Sequence, residues 1–226
     1  MANWFDRVEV ETGKDPVAAV IWLHGLGADG HDFTPVVAQL RLPGPTRFVF
    51  PHAPVRPVSV NGGLPMRAWF DIHGLDPEAP EDEAGLEQGR RGLEALIAHE
   101  AGRGIHPGRL VLAGFSQGGA LALHTALRHP GPLAGVMGLS TWLPAHRRIV
   151  EELAEGACDR PFFLAHGSED QTIRFEWAAA ARAMLESLGC RVEWHSYYMG
   201  HEVSPAEIRD IGRWLATVLF PEEAPP

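Results

Sequence analysis

Ser116 stands between Gly114 and Gly118 in the stretch GFSQG, after the apolar run Leu110-Val111-Leu112-Ala113 and before the helix-like Gly119-Ala120-Leu121-Ala122-Leu123-His124. A serine hydroxyl is a poor nucleophile until a histidine takes its proton and a carboxylate orients that histidine. GxSxG between a strand and a helix is the pattern of a nucleophile elbow. The turn is tight, the glycines tolerate a crowded backbone, and the hydroxyl is held out of the sheet. The pentapeptide alone is a weak signal; its place after a strand and before Gly118-Gly119-Ala120 gives it weight.

The partners of such a serine belong at the carboxyl ends of later parallel strands. After the apolar run 161–165 comes His166-Gly167-Ser168-Glu169-Asp170, which offers Asp170 as the acid. After 192–197 comes Tyr198-Met199-Gly200-His201, which offers His201 as the base, and the order Ser, Asp, His is the one the elbow requires. Glu169 competes with Asp170, and His166 and His195 compete with His201. His195 alternates within a strand and His166 precedes a glycine turn, so His201 is preferred. An oxyanion needs two N–H donors, one after the nucleophile and one from the loop after an early strand. Gln117 supplies the first, and Leu26, in His24-Gly25-Leu26-Gly27, is the candidate for the second.

Short apolar runs alternate with longer segments of helical period, which predicts an α/β fold on a mostly parallel sheet. Strands are expected at 17–23, 47–50, 110–113, 135–139, 162–165 and 192–197, and helices at 34–40, 81–100, 117–128, 145–155, 175–188 and 205–219. The acidic run 78–87 suits the start of the second helix, whose Leu86, Leu93 and Leu96 would face the sheet. The segment 51–80 is too long for a turn and, with Met66, Trp69, Phe70 and Ile72, too apolar for a free linker, so an ordered loop is expected there.

The 226 residues, 45% hydrophobic and 21% charged, suit one folded domain over 1–226, with peripheral ends at 1–7 and 221–226. A net charge of -10 without a basic block weighs against nucleic-acid or anionic-membrane partners. No apolar run reaches the roughly 18 residues of a spanning helix, and the start has no charged region followed by an apolar one, so a cytoplasmic protein is expected. Cys158 and Cys190 have neither CxxC nor metal spacing, and two reduced thiols are expected.

Seven ordered motifs carry a wider likeness. HGLGADG (24–30), PHAPVRPV (51–58), WFDI (69–72), GFSQGGAL (114–121), LSTWLP (139–144), HGSED (166–170) and MGH (199–201) resemble the phospholipase/carboxylesterase family, which includes bacterial carboxylesterases and acyl-protein thioesterases. The resemblance implies an α/β-hydrolase without a large lid, a serine hydrolase of esters or thioesters, and no metal or organic cofactor. By position it carries the nucleophile onto Ser116, the acid onto Asp170, the base onto His201 and the oxyanion amides onto Leu26 and Gln117. It also implies that Leu64, Trp69 and Trp142 border an acyl groove. Where many members have a valine and then a proline after the acid, this chain has Ile173-Arg174, an expected loosening of the loop that holds Asp170. The partner implied is a small acyl ester or thioester, with a weak homodimer through the apolar loop region as the oligomer the sequence offers. The rival readings are an acyl-binding module without turnover and an acyltransferase using an acceptor other than water.

Overall fold

The computed structural model describes residues 6–74 and 79–221. Nine strands form: β1 (Arg7–Glu11), β2 (Ala18–Leu23), β3 (Thr46–Pro51), β4 (Val55–Val58), β5 (Leu64–Arg67), β6 (Leu110–Phe115), β7 (Gly135–Leu139), β8 (Phe162–Gly167) and β9 (Val192–Tyr197). The helices are α1 (Val37–Leu40), α2 (Glu83–Gly102), α3 (Gln117–Arg128), α4 (Ile149–Glu152), α5 (Phe175–Ser187) and α6 (Pro205–Leu219). Seven strands make one sheet in the order β1-β3-β2-β6-β7-β8-β9, parallel except for β1. This is an α/β-hydrolase architecture, and no lid domain interrupts the described residues.

A parallel sheet covered by helices on both faces needs apolar residues at successive positions, not only alternate ones. In β2, Ala19, Ile21 and Leu23 join the core under α2, α3 and α5, whereas Ala18, Val20 and Trp22 join the core under α1 and α6. In β8, Phe162 and Phe163 divide between the same two cores. Leu86, Leu93 and Leu96 of α2 are buried in the first.

Several elements differ from the sequence reading. β1 was not expected: Arg7-Val8-Glu9-Val10-Glu11 alternates strictly, and Val8 and Val10 pack on the core while Glu9 pairs with Arg7 and Arg103. Arg7 is therefore not peripheral, and most of the expected loose ends lie outside the described residues. Within 51–80, β4 and β5 pair as a hairpin, and residues 75–78 of that segment and Glu78 of the acidic run also lie outside the described residues. α2 starts two residues later than expected because Asp82 caps it, accepting from the Gly85 N–H. Glu81 instead binds the Ala145 N–H. The expected helix 145–155 shrinks to a 3-10 turn and the four residues of α4, since Ala145 takes a left-handed conformation and Leu153 is extended.

The expectation of two thiols is overturned: Cys158 and Cys190 form a disulfide. β8 and β9 run parallel with Phe162 opposite Val192, so the chain four residues before one and two before the other enter at the same edge of the sheet. A spacing of 32 residues carries no hint of that meeting. Closing a loop of this size removes denatured-state entropy worth about 2–4 kcal/mol. Urea unfolding with and without dithiothreitol is expected to give a lower midpoint for the reduced protein, and the native protein to show no titratable thiol; two reactive thiols would contradict the bond.

Candidate active site

The carboxyl ends of β2, β6, β8 and β9 converge. Ser116, directly after β6, has φ 53° and ψ −121°, a conformation a non-glycine residue holds only when its surroundings impose it. They do so here. Its N–H donates to the Leu139 carbonyl of β7 at 2.8 Å, and its own carbonyl accepts from the Thr141 hydroxyl at 2.7 Å and the Ala120 N–H at 3.0 Å. A Cβ on Gly118 would lie 2.5 Å from the Leu23 carbonyl oxygen, so only glycine lets α3 start against the end of β2.

Asp170 and His201 come together across the loops after β8 and β9. His201 Nδ1–H donates to Asp170 Oδ2 at 2.7 Å, and the Asp170 side chain is wholly buried. Its other oxygen accepts the N–H groups of Thr172 and Ile173 at 2.8 and 2.9 Å. A Cβ on Gly167 would lie 2.3 Å from the Gly200 carbonyl oxygen, so the two loops approach at glycine. The His201 ring packs against Phe115, with centroids 4.7 Å apart, next to Ser116 in the chain. Glu169 is exposed, and His195 pairs with Glu193 at 2.9 Å away from this cluster.

Leu26 and Gln117 present their N–H groups at the ends of β2 and β6. Neither N–H is taken by a backbone acceptor among the described residues, while the neighbouring Gly27 N–H is tied to the Arg67 carbonyl at 2.9 Å. Gln117 opens α3, where the helix dipole favours negative charge.

A family model described as phospholipase/carboxylesterase matches residues 5–219. The chain belongs to the phospholipase/carboxylesterase family. It is 36% identical over 237 residues to acyl-protein thioesterase 1 of Cryptococcus neoformans var. neoformans serotype D, covering 97% of this chain and 100% of that one. It is 37% identical over 229 residues to acyl-protein thioesterase 1 of Mycosarcoma maydis, covering 94% and 95%. Among solved structures, Arabidopsis thaliana SOBER1 aligns with a TM-score of 0.84 at 33% identity, covering 89% of this chain and 99% of that one. Zea mays acyl-protein thioesterase 2 aligns at 0.82 with 29% identity, covering 94% and 99%. As a member of this family of α/β-hydrolases the protein is a serine hydrolase of carboxylic esters or thioesters. No helix among the described residues is long and apolar enough to cross a membrane.

The three residues that the family resemblance assigned to an acyl groove separate. Trp142 is half-buried and, with Phe70, Ile72, Ile173, Trp177 and Met184, lines a cavity of about 310 Å³. Leu64 is 63% exposed on β5 and does not line it. Trp69 is a correction: it is 0% exposed and acts as a strut, because its indole N–H donates to the His24 carbonyl at 2.8 Å. The Gln117 side chain completes the strut, accepting from the Trp69 N–H at 3.0 Å and donating to the Phe70 carbonyl at 2.7 Å. Sequence reasoning used only the Gln117 backbone; its one signal was a carboxamide, which can donate and accept at once.

His24 is a second missed support. Its Nδ1–H donates to the Gly25 carbonyl at 2.7 Å, and its Nε2 accepts from the Ala53 N–H at 3.1 Å, which ties the Leu26 loop to the chain after β3. Burial pushes the imidazole down to about 4 and keeps it neutral. The unfolded chain takes up this proton near 6.5, so the native state binds fewer protons between these values. The stabilisation is therefore full above about 6.5 and lost as pH falls toward 4. The unfolding free energy of wild type relative to His24→Gln is expected to shrink by roughly 1–2 kcal/mol between pH 7.5 and pH 5. A difference that does not change with pH would contradict a buried neutral imidazole.

Proposed function

We infer that Ser116, His201 and Asp170 form the catalytic triad of an esterase acting on short to medium acyl chains. The observation that carries this reading is the 2.7 Å bond from His201 Nδ1–H to a carboxylate whose other oxygen is already held by two amides. That bond fixes the tautomer and leaves Nε2 as the base. Ser116 attacks the acyl carbonyl as its hydroxyl proton passes to His201 Nε2, and the oxyanion meets the N–H groups of Leu26 and Gln117. Collapse of the tetrahedral intermediate breaks the bond to the leaving alcohol or thiol, which receives the proton from His201. Water then attacks the acyl-Ser116 ester, gives its proton to His201, and releases the acid while the serine is re-protonated. Asp170 stays ionised and stabilises the imidazolium throughout.

The acyl chain is assigned to the cavity beside Trp142. Trp142 follows Thr141, whose hydroxyl binds the Ser116 carbonyl, and Ile173 gives its N–H to Asp170, so cavity and triad share two loops. A protein-borne thioester is the second reading, favoured by the names of the fungal relatives. Parallel kcat/KM measurements on an acylated peptide thioester and the matching small oxoester separate the two.

Ser116→Ala is expected to lower kcat on p-nitrophenyl butyrate by about 10⁴-fold or more and to abolish the single fluorophosphonate adduct seen by intact-mass spectrometry. A labelled or active alanine variant would refute the nucleophile. Met184→Trp, which narrows the cavity, is expected to cut kcat/KM for decanoyl esters at least tenfold while sparing acetyl esters. Equal loss on both chain lengths would place the acyl chain elsewhere.

A further inference from the structure

His166, the penultimate residue of β8, is wholly buried against the carboxylate that holds His201. Its Nε2 lies 2.8 Å from the Ile173 carbonyl oxygen and 3.5 Å from Asp170 Oδ2, the oxygen that also receives His201 Nδ1–H. A carbonyl only accepts, so Nε2 carries the hydrogen and Nδ1 the lone pair. Nδ1 has no hydrogen-bond partner among the described residues. Burial holds the ring toward its neutral form in spite of Asp170, and the charged groups facing it are Asp170 and His201. The Phe175 ring of α5 meets it edge-on at 6.1 Å.

An imidazole buried with one nitrogen unsatisfied carries a desolvation cost that phenylalanine would avoid. A hydrogen bond to a charged neighbourhood is the return. We propose that His166 is a positioning residue for hydrolysis, whose Nε2–H clamps the Ile173 carbonyl and places its dipole 3.5 Å from Asp170 Oδ2, the oxygen that His201 binds. The clamp fixes by hydrogen bonding the loop that carries Arg174 after Ile173. The proximity to Oδ2 has a second effect. An N–H dipole beside Oδ2 offsets part of the carboxylate charge, so Asp170 pulls less strongly on the imidazolium of His201. Removing that dipole strengthens the pull, and His201 then keeps its proton to higher pH.

This inference rests on Asp170 and His201 being the acid and base, so wild type is tested first. Absence of both a fluorophosphonate adduct and ester hydrolysis would sink that underlying assignment. With wild type active, His166→Phe and His166→Gln are compared on p-nitrophenyl butyrate across pH, after circular dichroism has checked folding. The glutamine amide N–H falls near the position of Nε2–H, so His166→Gln is expected to keep kcat/KM within about threefold and the acid limb of the profile in place. His166→Phe is expected to lower kcat about 10- to 100-fold, to change KM less than about twofold, and to move the acid limb upward by about half a unit or more. A folded phenylalanine variant with the wild-type limb, or a glutamine variant as impaired as phenylalanine, would overturn the proposal. If His166→Phe does not fold, imidazole nitrogen NMR of wild type decides. A neutral Nε2–H tautomer through the acid limb supports the proposal, and an Nδ1–H tautomer or a ring that titrates with the limb overturns it.

Discussion

A carboxylate shut away from water must be surrounded by N–H groups, and the Asp170 side chain is fully buried. That requirement organises the carboxyl edge of the sheet. Two donors come from its own loop, which must curl back so that Thr172 and Ile173 face Oδ1. A third comes from His201, which must be carried in by the next strand. Both demands are met only because β8 and β9 lie side by side in parallel and their exits touch at Gly167 and Gly200. The loop expected to be loose without a proline is in fact pinned at Thr172, at Ile173 and at the Ile173 carbonyl.

The other half of the site is held by backbone pressure instead of charge. Ser116 keeps a strained conformation because β7 takes its N–H while Thr141 and α3 both bind its carbonyl. The Leu26 loop opposite is braced by His24, Trp69 and Gln117, none of which needs to touch a substrate. Under the proposed function, these rigid polar supports keep the Leu26 and Gln117 amides aimed before charge develops.

Much of this could be read from the sequence, and the failures have physical reasons. Of the six parallel strands five contain continuous apolar runs, and Ser116, Asp170 and His201 lie one to four residues past the carboxyl ends of β6, β8 and β9, so strand ends and candidate chemistry were legible together. Trp69 was not: an indole in a Pro-rich, apolar loop reads the same whether it walls a groove or braces a turn, and only its bond to the His24 carbonyl distinguishes the two. The hairpin of β4 and β5 forms a two-stranded sheet apart from the large one, so no core alternation marks it. β1 did carry a signal, the strict alternation from Arg7 to Glu11, but an edge strand with one solvated face is easily passed over as a charged lead-in. His166 was visible only as a competitor for His201, because the chain order says nothing about which imidazole turns inward.

The disulfide lies at the amino-terminal foot of β8 and β9, and Asp170 and His201 lie beyond their carboxyl ends. Six residues of strand, about 20 Å, separate the two. The same strand pair is thus sealed by sulfur at one end and left open to reagents at the other. Oxidising or reducing surroundings therefore act on the sealed end, a strand's length away from Asp170 and His201.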